Sequence, residues 1–440
     1  MELGDRPRLR VLSDRFTPAA GDREPWRVAH PLPEVLLLVV CGTIGACDDF
    51  DEIVEWGEDN LDFLRRFLPY HHGLPSTRWL RILMNRIDAE LFSEIFVSWA
   101  TALRPEAPAL VALDGKTSRG SLDRGGGRAA LHLVSAFATR ERLVIGQEAV
   151  ADGGSEQATI LSLLDRLSGK GRLDGALVTI DAVACNAATA RRILDAEADH
   201  RLAVKPNQPG LLREIETFLD DASAERPSID HAVDKGHGRV EERRVPVSTE
   251  VDWLDGDRRF PGEYRFPRLA AIARVETTIF EKGRESRQTR HYVSSRPLDA
   301  AAFGQAIRAH WQIENALHWV LDVSFKEDAT KTRNPNGPKN AAVVRHFALA
   351  LALVRAAGDD RSIKLRRRKA HRDPGHLARI LNARSLTRIQ SRGDGSGNPL
   401  VMTRIAFLAG EVRRGAPPPF ENSASRVLLA RAVADVVEDR

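Results

Sequence analysis

At 440 residues the chain is too long for one small core, and 42% hydrophobic with 29% charged residues is the balance of a globular protein of two or three domains. A formal net charge of +4, from 65 basic against 61 acidic residues, excludes an acidic tail-like chain and leaves room for an anionic partner. Three cysteines, Cys41, Cys47 and Cys185, form no CxxC pair, which excludes a cysteine zinc framework and fits a reducing cytoplasm.

Residues 1–30 are charged and proline-bearing and read as a loose arm without the layout of a secretory signal. The most apolar stretch, 35–47, is too short to span a bilayer, so the expectation is a cytoplasmic protein with no membrane partner. Helical spacing then predicts helices over 34–46, 50–56, 61–67, 77–84 and 88–99, with Ser76 or Thr77 as an N-cap after the Gly73-Leu-Pro-Ser76 turn. A proline-rich boundary near Pro105 and Pro108 closes this helical domain, 31–108, which suits DNA binding among other uses.

Next comes an apolar run, Leu110 to Leu113, covered on both faces, then Asp114, with Gly115 expected to end the strand. Strands follow over 130–138 and 142–150 around an Arg140-Glu141 hairpin turn, and a helix over 155–167. A second apolar strand, 176–181, again ends in an aspartate, Asp181, before a helix at 186–196 and a strand at 201–205. The order β-β-β-α-β-α-β is that of an RNase H-like α/β fold, in which the first and fourth strands are neighbours and bring Asp114 beside Asp181. Residues 206–298 break the rhythm and read as a β-rich insertion, with strands at 240–247, 269–280 and 289–295. Helical periodicity resumes at Asp299, and a turn at 334–338 precedes an apolar helix over 340–357 closed by Gly358. The catalytic domain is thus expected over 109–358, a basic segment over 359–381, and a linker with an atypical tail over 382–440.

Two strand-end aspartates and a helix glutamate form a donor set for a hard divalent cation, which prefers carboxylate oxygen and water. His310, Glu314 and His318 recur every four residues and share one face of an α-helix. A zinc helix built on the same three residues is the rival, weakened by a spacing unlike HExxH and by the lack of a cysteine pair.

Segments in a fixed order carry a resemblance: His30-Pro31-Leu32, Gly73-Leu-Pro-Ser76, Leu113-Asp-Gly-Lys-Thr117, Leu131-His-Leu-Val-Ser-Ala-Phe137, Thr179-Ile-Asp-Ala182 and Leu202-Ala-Val-Lys-Pro-Asn-Gln208. His237-Gly-Arg-Val-Glu241, His310-Trp-Gln-Ile-Glu-Asn315, Leu317-His-Trp-Val-Leu-Asp322 and Glu327-Asp328 continue it to about residue 381. The chain resembles the H-repeat-associated bacterial insertion-sequence transposases of the DDE class. The resemblance implies an RNase H-like core with a β insertion behind a small helical domain. It also implies the catalytic and metal-holding set Asp114, Asp181 and Glu314 with two Mg2+ (or Mn2+) ions, Asp114 bridging them. Double-stranded DNA, at terminal inverted repeats and a target site, is the implied partner, with the chain acting as a homo-oligomer on DNA.

Related transposases carry tyrosine, arginine and lysine around the glutamate, where this chain has Ile307, His310 and Leu321. Phosphate contacts are expected from Lys116, Arg119, Lys205, Arg239, Arg308, His310 and His318, with Asn207 and Gln208 positioning the backbone or forming a turn. Arg366, Arg367 and Arg368 in the run from Lys364 to Lys369 would track duplex phosphates. The alternatives are a non-catalytic DNA-binding descendant and a nuclease or resolvase of the same fold.

Overall fold

The computed structural model describes residues 29–102, 108–221, 227–236, 238–255, 266–334, 336–353 and 361–382. Most of the expected N-terminal arm, the closing Gly358, His237 and the tail beyond 382 lie outside the described residues. In chain order the first helices are α1 Leu32–Ile44, α2 Phe50–Asp59, α3 Leu61–Arg65, α4 Thr77–Arg86 and α5 Ala89–Ala102. Strands β1 Leu110–Ser118, β2 Leu131–Ala138 and β3 Leu143–Ala149 follow, then α6 Glu156–Ser168, β4 Leu177–Ile180, α7 Ala187–Asp195, β5 Asp199–Val204 and α8 Pro209–Asp220. The remainder is β6 Ser228–Gly236, β7 Arg239–Ser248, β8 Ala271–Glu281, β9 Arg284–Ser294, α9 Ala300–His310, α10 Trp319–Ser324, α11 Gly337–Leu353, α12 Ile363–Arg372 and α13 Pro374–Asn382. Among the described residues no helix is long and apolar enough to cross a membrane.

The chain divides into two units, one made from both ends (1–95 and 335–440) and one from the middle, 96–334. In the end-built unit, α1 is apolar around its whole circumference and is buried from Leu32 to Ile44, as a helix enclosed on all sides must be. It packs against α2, α11 and α12. The buried Glu34 carboxylate accepts from the Tyr70 backbone N–H at 2.8 Å, and burial raises its pKa. Asn340 on α11 donates to the Met84 and Ile87 carbonyls at 2.8 and 2.9 Å, closing the end of α4. By its contacts this helix, expected within the catalytic segment 109–358, groups with the N-terminal helices, its apolar surface matched by α1.

The same packing revises the reading of the basic run. Arg366 and Arg367 are only 7% and 3% exposed. Arg367 donates through Nε and Nη2 to the Thr43 carbonyl at 3.1 and 2.9 Å, while Arg366 donates to the Ala352 and Arg361 carbonyls, both at 2.9 Å. His371 Nδ1 lies 2.7 Å from the Gly45 carbonyl. Cations on α12 therefore satisfy the open carbonyl ends of α1 and α11, where the helix dipole is negative. Arg366 and Arg367 are withdrawn from phosphate contact; Arg368, on the exposed side, is not.

The middle unit is built on one nine-stranded mixed sheet of order β3-β2-β1-β4-β5-β9-β8-β7-β6. Strand β1 runs antiparallel to β2 and parallel to β4, and β4 is parallel to β5. This is the RNase H-like order expected from the sequence. The region read as an insertion continues the same sheet: β9 pairs with β5, Leu202 opposite Val293, and β8, β7 and β6 follow as an antiparallel meander. An apolar cluster that includes Ala203, Val245, Ala273, Tyr292, Phe303 and Ile307 seats α9 on this extension. Its N-cap, Asp299, accepts from Ala302 N–H at 2.7 Å. Helix α6, N-capped by Ser155, packs on β2 and β3.

Candidate active site

Strands β1 and β4 lie in register with Leu113 opposite Ile180, so the residues that follow, Asp114 and Asp181, leave the pair side by side. There β4 ends and β1 continues to Ser118 against β2, with Gly115 opposite Val134. Gly115 thus does not end the strand as expected. A Cβ on it would sit 2.6 Å from His132 Nε2 and 2.7 Å from the Glu156 carboxyl carbon. His132 Nε2 and Glu156 Oε2 are 2.8 Å apart, and His132 Nδ1 is 2.8 Å from Thr117 Oγ1. The glycine is needed for that close crossing. Since successive strand residues face opposite sides, Asp114 points away from this pair, toward the helix that carries Glu314.

That helix is interrupted. Residues Ile313–His318 form a π-helical segment between α9 and α10, in which the Trp319 N–H donates to the Glu314 carbonyl, five residues back. Such segments are rare and concentrate at functional sites. His318 Nδ1 comes within 3.5 Å of Asp114 Oδ2. His310 Nδ1 instead lies 2.8 Å from Thr179 Oγ1 on β4, so the two histidines serve different partners.

Electrostatics couple the three acids. Burial and then the Glu314 charge push Asp114 up to about 7, with Glu156 and Asp181 adding and the Gly115 N–H opposing. Partial burial also raises Glu314, with Arg290 opposing and Asp181 adding. Burial would raise Asp181 too, but the Ala182 N–H and the Lys205 ammonium outweigh it and hold the carboxyl below its usual range. Lys205 Nζ is 3.0 Å from Asp181 Oδ2. Asn207 and Gln208 donate to the Ala182 and Cys185 carbonyls at 2.9 and 3.0 Å and fix the turn after Asp181.

Residues 105–351 match the family described as "Transposase DDE domain", and residues 14–100 match "DDE_Tnp_1-associated". The chain belongs to the DDE transposase family. It is 31% identical over 385 residues to "H repeat-associated putative transposase YhhI" of Escherichia coli (strain K12), covering 86% of this chain and 100% of that one. It is 32% identical over 378 residues to "Putative transposase YncI" of Escherichia coli O157:H7, covering 85% and 95%. A solved piggyBac transposase synaptic complex with hairpin DNA is similar at a TM-score of 0.39 and 12% identity, over 89% of this chain and 78% of that one.

In this DDE transposase the remaining expected contacts separate into two groups. Lys116 is not free for a phosphate: its Nζ lies 2.8 Å from Asp322, 2.9 Å from Glu327 and 3.7 Å from Asp328, and the side chain is 12% exposed. Burial lowers its pKa, but Glu327 and Asp322 outweigh that and raise it. The cluster ties β1, two residues past Asp114, to the end of the helix bearing Glu314. His310 is turned to Thr179, and burial and Arg201, with Arg290 adding and Asp181 opposing, push its pKa down to about 3. Arg119 and Arg308 are exposed, Arg119 with its backbone N–H held by Asp328. Arg239 is half-exposed, 3.6 Å from Glu241. The sequence reading passed over His132 and Glu156, because an acidic residue after an N-cap serine reads as first-turn helix chemistry. It also passed over Arg201 and Arg290, whose neighbours are distant in the chain.

Proposed function

We propose that this transposase cuts DNA at the ends of its element and joins the freed 3′-hydroxyl to target DNA, with Asp114, Asp181 and Glu314 as the catalytic carboxylates. The observation that carries the reading is the register that sets Asp114 beside Asp181 on parallel strands, with Glu314 electrostatically coupled to both. Among the described residues, no three Asp, Glu, His or Cys side chains are drawn close enough to hold a metal ion. The donor set nevertheless fits Mg2+ or Mn2+ in kind: three carboxylates, without thiolate, whose mutual repulsion a divalent cation relieves. When bound, a pair of such ions supplies an activated oxygen nucleophile and stabilises the leaving oxygen.

The chain's own residues do the rest. Lys205 and the turn held by Asn207 and Gln208 keep Asp181 ionised and aimed. His318 stands against Asp114. The Lys116 cluster fixes the strand of Asp114 to the helix of Glu314. Double-stranded DNA at terminal inverted repeats and target sites is the proposed substrate, with a second copy of the chain as partner on paired ends. Arg119, Arg239, Arg308 and Arg368 are the proposed backbone-phosphate contacts.

The test is Asp181→Asn assayed on a duplex bearing the inverted repeats that flank the coding region. Cleavage should fall by at least about a thousandfold while binding of the duplex persists. Undiminished cleavage would remove Asp181 from the site.

A further inference from the structure

A cavity of about 670 Å3 opens beside Asp181 and Glu314, a size that suits an organic ligand. Its walls include Arg201 on β5, Arg274 on β8, Arg290 and Tyr292 on β9, and Trp311 beyond α9. Most charges around it are matched. Lys205 pairs with Asp181, Arg274 with Asp220 and Glu276, and His291 lies 3.9 Å from Glu216.

Two guanidinium groups are held differently. Arg201 is 1% exposed and fully enclosed, its guanidinium carbon 4.8 Å from the centre of the Tyr292 ring, and its Nε has no hydrogen-bond partner. Arg290 stands 4.7 Å from the centre of the Trp311 ring. Among the described residues neither forms an ion pair with a carboxylate. Burying a guanidinium without a counter-charge is costly. Asp181 acts on Arg201 as a charge at a distance rather than as an ion-pair partner, its Oδ2 lying against Lys205. A guanidinium resting on an aromatic face keeps its in-plane N–H groups directed outward, the arrangement that meets phosphate oxygens.

We infer that this cavity is a phosphate subsite for a nucleotide adjoining the bond to be cut, with Arg290 donating to the phosphate, Arg201 setting the positive potential of its floor and Trp311 holding the Arg290 guanidinium in place. It rests on the DNA-cleavage reading above and extends it to residues outside the carboxylate set. Both arginines come from strands that adjoin in the sheet, β5 and β9, so the subsite exists only because the meander continues the catalytic sheet.

The experiment uses the full chain in EDTA, where cleavage does not intrude, and the duplex carrying the flanking inverted repeats. One phosphate at a time across the repeat tip is replaced by a neutral methylphosphonate. Wild type should lose about tenfold in affinity at one or two adjacent positions. Arg290→Gln should bind the unmodified duplex about tenfold more weakly and lose no more at those positions, and Arg290→Lys should fall between. The inference is overturned if Arg290→Gln binds like wild type, or binds weakly yet keeps full sensitivity at every position. Arg201→Met should repeat the Arg290→Gln pattern, and should it fail to fold, the partly exposed Arg290 series decides alone. Wild type showing no preference for the repeat duplex would overturn the DNA reading itself, an outcome distinct from a lost position effect.

Discussion

His200 is the second residue of β5 and has no exposed surface, its Nε2 3.3 Å from the Pro267 carbonyl. Burial is the main cause that brings its pKa from 6.5 down to about 4, against the pull of Pro267 and Asp199. The folded protein therefore holds this ring neutral where the unfolded chain protonates it. Its contribution to stability is complete above pH 6.5 and is lost as pH falls toward 4, an effect of up to about 3 kcal/mol. In His200→Gln this loss is absent, so the stability gap between wild type and variant should narrow between pH 7 and pH 4.5 in denaturant titrations. At this scale the neighbouring positions of Asp114 and Asp181 were legible, because an apolar strand run followed by a carboxylate is a local pattern. Lys116, Arg366 and Arg367 were not: what a cation touches is decided by residues far along the chain, here Glu327 and Thr43. Gly115 was misread for a related reason, since a glycine that admits a turn and one that admits a neighbour look alike in one dimension.

The helix from α9 to α10 shows what periodicity can and cannot carry. Repeats at His310, Glu314 and His318 correctly gave a helix, yet an α-helical phase places those side chains on one face, and the π segment at 313–318 changes that phase. A six-residue segment leaves no periodic signature of its own. The upstream half is anchored by Phe303 and Ile307 in the apolar cluster, and the downstream half by Asp322 on Lys116. Deleting Ala316 removes the residue that the wide turn absorbs, so the segment closes to ordinary α-helix with α9 and α10 still in phase and both anchors kept. The backbone around Glu314 tightens and shifts its carboxylate, and cleavage should drop by about a hundredfold while far-UV circular dichroism is nearly unchanged. In the sheet extension, β7 to β9 were recognisable from apolar strand residues. Strand β6 was not, for its sequence is mostly polar and Ile229 and Val233 are each 50% exposed.

At the scale of the whole molecule, the grouping of α11 to α13 with the N-terminal helices was hidden, because nothing in a sequence marks which of several apolar helices will meet. The division of the basic run on α12 gives a clean comparison. Arg367→Ala leaves the Thr43 carbonyl and Asp48 without their buried donor and should cost about 3–5 kcal/mol in a denaturant titration. Arg368→Ala should stay within about 0.5 kcal/mol of wild type. If Arg368 meets a DNA phosphate, its loss should flatten the salt dependence of binding by about one log–log unit.

A unit assembled from both ends of a polypeptide has an order of birth built into it. The middle unit, 96–334, is complete in sequence before the ribosome has made α11, so the carboxylate-bearing sheet can close first. Helices α1 to α4 precede it and pack on one another, but the faces of α1 and α4 that meet α11 stay open until the chain beyond residue 335 arrives. Premature termination in that interval would leave the sheet complete in sequence and the leading helices with exposed apolar faces, a substrate for chaperones.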